Sequence, residues 1–123
     1  MPVIPAADAV PYETHGSRFS SYVSPSRGSS QLCGWRLDVP AGLAGAAHRP
    51  TREELLLVLE GELRIGLDGV ESTAGPGDVV LVPAGSEFRV DGGPSGAAAW
   101  VSTTAGLQAR LPDGSTITPP WAT

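Results

Sequence analysis

Residues 42–61 read GLAGAAHRPTREELLLVLEG, and residues 77–92 read GDVVLVPAGSEFRVDG. In the first stretch Gly42 is followed after five residues by His48, and Glu54 after six by Gly61. In the second, Gly77 is followed after five residues by Pro83-Ala84-Gly85. Short apolar runs bounded by Gly and Pro are the mark of strands. Residues 54–66 predict an apolar strand that bends near Glu60 and Gly61 and reaches a turn at Asp68-Gly69, a pair that suits a two-residue hairpin. Pro76-Gly77 turns the chain into a strand over 79–82, and Pro83-Ala84-Gly85 turns it again into a strand over 87–90.

Outward from these stretches the pattern stays short and turn-rich. Residues 32–39 alternate Cys33, Trp35, Leu37 and Val39 with Gly34, Arg36 and Asp38, a half-buried strand of period two. Residues 19–24 predict another strand and 25–30 a loop, while 1–17 read as an irregular, Pro-punctuated arm. Downstream, 91–96 predict a loop before a strand over 97–104. Leu107, Ala109 and Leu111 alternate into Pro112-Asp113-Gly114, which suggests a terminal hairpin ending at Ile117 and a stiff tail at Pro119-Pro120-Trp121. No segment sustains a helical period with caps beyond one turn near 51–54. The expectation is an all-β sandwich or barrel with little or no helix.

Composition narrows the function classes. A chain of 123 residues suits one domain. Charged residues are 17%, and the net charge is −5. All eight basic residues are scattered arginines, so no basic stripe exists for a phosphate backbone, and nucleic acid is not an expected partner. The absence of lysine excludes a lysine Schiff base. Cys33 is the sole cysteine and has no internal disulfide partner. With no apolar run long enough for a membrane span and no signal-like start, a soluble cytoplasmic domain is expected.

The double spacing resembles the two motifs of the cupin family. The resemblance covers about residues 30–105 and implies a single-domain β-barrel (a double-stranded β-helix, or jelly roll) with an internal pocket. It leaves 1–29 as an N-terminal arm with an edge strand and 106–123 as a C-terminal hairpin with a Pro-rich tail. In the family the first motif carries His-x-His and a glutamate, and the second a further histidine and an asparagine. His48 and Glu54 match; Pro50, Phe88 and Gly92 stand where the family has His, His and Asn. Two ligands of four remain, and the metal the resemblance implies would need another donor, with His15 or Cys33 as the available third. The expectation is no cofactor, with a divalent transition metal as the alternative.

What remains is a pocket whose convergent polar groups are His48 and Glu54, a pair suited to general acid–base work. Glu54 opens an apolar run, where a charge is costly unless paired; a strand-end salt bridge to Arg52 or Arg89 is the bland alternative. Trp35, Phe88 and Trp100 would supply an aromatic wall if they face inward, and Arg36 an anchor for a ligand carboxylate; simple core packing and an Arg36–Asp38 pair are the alternatives. The leading reading is a metal-independent protein that binds a small organic molecule, with isomerase, epimerase, cyclase or lyase chemistry by His48 and Glu54. A metal-dependent dioxygenase or lyase, and a non-catalytic binder or sensor, are the competing classes. Exposed edges at 19–24 and the tail at Trp121 suggest strand or tail exchange in a homodimer.

Overall fold

The computed structural model describes residues 3–123; Met1 and Pro2, where the expected arm begins, lie outside the described residues. Ten strands follow one another: β1 Val10–Thr14, β2 Ser17–Val23, β3 Leu32–Val39, β4 Arg49–Pro50, β5 Glu54–Leu67, β6 Val70–Ala74, β7 Val79–Val82, β8 Phe88–Thr104, β9 Ala109–Arg110 and β10 Thr116–Ile117. The only helical pieces among the described residues are three-residue 3-10 turns at Ala6–Asp8, Pro25–Arg27 and Pro120–Ala122. The turn expected near 51–54 is a bend. The architecture is all-β, as the turn-rich pattern predicts, and it is the jelly roll that the family resemblance implies.

A large antiparallel sheet runs β1-β2-β3-β8-β5-β6, with β7 also paired to β5, and a small one runs β10-β9-β4. The small sheet is tied to the large one by main-chain bonds. His48 N–H donates to the Phe88 carbonyl at 3.0 Å, Phe88 N–H donates to the His48 carbonyl at 2.8 Å, and Gly85 N–H donates to the Pro50 carbonyl at 2.7 Å. Between the sheets lies the core, with Leu56, Val58, Leu63, Ile65, Val82 and Val101 all buried.

β5 and β8 pair along almost their whole length, from Glu54 opposite Thr103 to Leu67 opposite Phe88. The register slips between Val58 and Glu60. One extra residue exchanges the faces of a strand. Glu54, Leu56 and Val58 point inward before the slip, and Leu63 and Ile65 point inward after it. The expected bend near Glu60 and Gly61 is this bulge. Gly61 adopts φ 72°, and a Cβ there would collide with the Gly96 carbonyl oxygen.

Three expectations are corrected. The loop expected over 91–96 is a bulge within a through-running strand: Asp91 and Gly92 pair with Arg64 and Leu63, and pairing resumes at Ala97 opposite Gly61. Its glycines and proline read locally as a turn, but both ends stay bonded to the same partner strand. Part of the irregular arm is β1, which forms a hairpin with β2 through His15 and Gly16, both at positive φ (51° and 82°). Residues 19–24 are consequently not an edge, because β2 is paired on both sides, to β1 and to β3.

Replacing Gly61 by alanine combines a left-handed backbone with a main-chain clash and should destabilise the fold by about 2–4 kcal/mol. Gly75→Ala, whose added methyl would meet nothing nearer than an Asp78 oxygen at 3.9 Å, should stay within about 0.5–1 kcal/mol of the parent. Urea unfolding of the two variants checks this, and equal midpoints would contradict it.

Candidate functional site

A cavity of about 140 Å³ lies between the sheets. Its wall is apolar and aromatic: Trp35 and Leu37 from β3, Leu56 from β5, Phe88 and Val101 from β8, Phe19 from β2 and Trp121 from the tail. The three inward positions foreseen for the first motif, His48, Pro50 and Glu54, all line it. His48 and Glu54 are therefore brought to one cavity. His15 reaches it as an exposed residue of the β1–β2 turn.

Glu54 is the unusual group. It is 7% exposed, and among the described residues its carboxyl has no salt-bridge partner: Arg89 is engaged by Asp91 at 3.0 Å and Glu71 at 3.0 Å. Burial in apolar surroundings disfavours the charged form, and it pushes the Glu54 carboxyl up to about 7. Glu53, which precedes β5, is exposed.

His48 is half-buried, with its ring edge-on to Phe88 at 5.6 Å between centroids. Its Nδ1 lies 3.1 Å from the Ala46 carbonyl oxygen. A carbonyl can only accept, so Nδ1 carries a proton, and in the neutral ring Nε2 is the acceptor.

Two expected wall or anchor residues are elsewhere. Trp100 faces the outer side of β8, where it packs on Tyr22 (ring centroids 5.4 Å apart) and donates its indole N–H to Ser102 Oγ at 3.0 Å. Trp35 pairs with Val101, so Trp100, one residue earlier on β8, necessarily points the other way. Arg36 is also outward, bound to Glu60 at 2.8 Å and Asp38 at 3.2 Å. Cys33 is buried beside the tail and donates to the Ala122 carbonyl at 3.4 Å, outside the cavity lining; burial raises its thiol.

Phe19 and Trp121 are the aromatic wall residues that sequence reading did not assign to the pocket. Their rings stack at 3.9 Å and 16°, and Trp121 stands edge-on to Trp35 at 6.5 Å. The tail is held by its carbonyls: Ser21 Oγ donates to Trp121 O at 2.7 Å and Ser26 Oγ to Thr123 O at 2.5 Å. Trp121 thus packs against residues of its own chain, and β2 pairs with β1 and β3. The signal in the sequence was a tryptophan after two prolines, whose destination depends on contacts about a hundred residues away.

The donor set does not fit the metal that the family motif would hold. Pro50 and Phe88 offer no donor atom, and among the described residues no three His, Cys, Asp or Glu side chains are grouped to hold an ion. At the asparagine position, a Cβ on Gly92 would collide with the Pro40 carbonyl oxygen, so this backbone admits no side chain there.

The sequence profile of the cupin domain family matches residues 35–103, more than half of the chain. This chain belongs to the cupin family. Solved structures agree on the fold. An RmlC-like cupin from Shewanella frigidimarina is 17% identical over 85% of this chain and 90% of that one, with a TM-score of 0.73. The polyketide cyclase RemF from Streptomyces resistomycificus is 18% identical over 85% and 79%, with a TM-score of 0.75. A variant of oxalate decarboxylase from Bacillus subtilis is 18% identical over 93% of this cupin but 31% of the larger chain, with a TM-score of 0.73. At such identities the likeness speaks for the fold alone. No curated protein matches this cupin. Among its described residues no helix is long and apolar enough to cross a membrane.

Because the Glu54 value lies above the ordinary 4.5, the folded cupin favours the protonated carboxyl. Its contribution to stability is present in full below pH 4.5 and is lost as pH rises through about 7. The loss should amount to something on the order of 3 kcal/mol. Glu54→Gln should therefore gain on the parent between pH 5 and pH 8 in urea unfolding; parallel pH profiles would refute the shift.

Proposed function

We propose that this cupin binds a small, largely apolar organic molecule in the barrel cavity and acts on it by proton transfer, without a metal. Glu54 serves as the principal acid–base group and His48 as the second, in an isomerase, epimerase, cyclase or lyase type of reaction. The observation that carries this reading is Glu54 itself: a carboxyl without an ion-pair partner among the described residues, on an apolar cavity wall, poised near neutral pH. A carboxyl at that value exchanges a proton in either direction at little cost, which is what general acid–base chemistry requires. A buried, unpaired ionisable group is also expensive to keep in a core. His48, with Nδ1 engaged by Ala46 and Nε2 left to accept, suits the complementary role. The ligand-position substitutions Pro50 and Phe88 support the metal-free form, since they replace donors with apolar bulk at the cavity wall.

Cyclohexanone, a neutral single-ring ketone, is a suitable probe of the base. In D2O the chain should speed deuterium exchange at the ketone's α-carbons, followed by NMR, with a rate that rises through about pH 7 and persists in chelator. Glu54→Gln should slow it by about a hundredfold. Exchange that Glu54→Gln leaves intact, exchange abolished by chelator, or a rate no greater than that of buffer would each overturn the proposal.

A further inference from the structure

Among the described residues, one buried side-chain polar atom has no hydrogen-bond partner: the indole Nε1 of Trp35. Trp100, by contrast, has its N–H satisfied by Ser102, and Trp35 is the cavity-lining tryptophan whose buried N–H has no acceptor among the described residues. A buried donor left without an acceptor is a standing penalty in the folded state. An acceptor brought in by a ligand would relieve it.

Strand register relates this donor to Glu54. Trp35 and Leu56 both pair with Val101, and Glu54 lies one inward position from Leu56 on β5. Trp35 is thus set beside Val101 and Glu54 beside Thr103 on the inner face, two strand spacings across the sheet and two residues along it, or about 12 Å apart. Both line the same cavity, whose volume of about 140 Å³ is close to that of engineered cavities that hold one benzene ring. No arginine lines it, and the chain has no lysine. An anionic ligand would meet Glu54 with only His15 and His48 to offset it.

We propose that the cavity takes a neutral, single-ring compound bearing a carbonyl oxygen, with Trp35 Nε1–H donating to that oxygen and Glu54 reaching the ring from the other side. The proposal rests on the cavity reading above and adds the substrate class and a further catalytic residue. With a β,γ-unsaturated ring ketone, the Glu54 carboxylate takes a proton from the α-carbon between the carbonyl and the ring C=C bond. The C–H electron pair becomes a C=C bond, and the carbonyl π pair moves onto oxygen, where the Trp35 N–H stabilises the enolate. Return of the same proton to a different carbon yields the isomer and regenerates the carboxylate. Nothing is oxidised or reduced, and no co-reactant is consumed.

Cyclohexanone and its hydrocarbon isostere methylenecyclohexane test the donor separately from the cavity. At pH 8 both should bind the wild-type chain, and only the ketone should move the Trp35 indole N–H resonance downfield. That resonance is assigned by its loss in Trp35→Phe or, if that variant does not fold, by elimination with Trp100→Phe and Trp121→Phe. Trp35→Phe should lower the ketone-to-hydrocarbon affinity ratio by about fivefold or more. An unmoved resonance on ketone binding, or a ratio unchanged in Trp35→Phe, would overturn the Trp35 assignment and leave the cavity reading standing. If neither compound binds, the cavity reading falls and this inference with it.

Discussion

The β5–β8 ladder is the constraint on which the rest of the molecule depends. It joins the strand that carries Glu54 to the strand that carries Phe88 and Val101, and its register decides which side chains meet inside. The slip after Val58 lets a single long strand serve two parts of the core, with even-numbered residues inward at one end and odd-numbered residues inward at the other. Close main-chain approaches at Gly61 and Gly92 hold the ladder against its neighbours. The cavity is what remains between this ladder and the small sheet bridged to it at His48 and Phe88.

Electrostatically the interior is sparing. Arg89, one of the two arginines expected to pair with Glu54, is engaged on the outer surface by Asp91 and Glu71, as Arg36 is by Asp38 and Glu60. These exposed pairs add little stability, but their placement leaves the one inward carboxyl without a counter-charge. The result is a site whose acidity is governed by desolvation, the same balance that tunes acids and bases in apolar enzyme pockets.

Much of this was legible in the chain. The period-two alternation at Cys33, Trp35, Leu37 and Val39 gave the inward face of β3 directly, and Asp68-Gly69 formed the expected turn, with φ 49° and 81°. The glycine and proline spacing marked the family, and the first-motif positions converged on one cavity. What was illegible depended on distant partners. The run Asp91-Gly92-Gly93-Pro94-Ser95-Gly96 has every local mark of a loop, yet the ladder carries it through as a bulge. His15-Gly16 makes a hairpin turn without the usual Asn or Asp. Trp121 becomes a wall of the cavity because hydroxyls on Ser21 and Ser26 capture the carbonyls of the tail, and nothing near residue 121 announces them. Trp100 was misplaced for a simpler reason: an aromatic residue in a strand faces one side or the other, and only the register with β3 decides which.

The bridge between His48 and Phe88 is made wholly of main-chain atoms. The barrel is therefore closed by groups that every amino acid except proline carries, and its closure places no demand on the side chains projecting from those two positions. Architecture and reactivity are separately heritable at this seam. Exchanging an imidazole for a phenyl ring there leaves the hydrogen bonds of the bridge itself untouched.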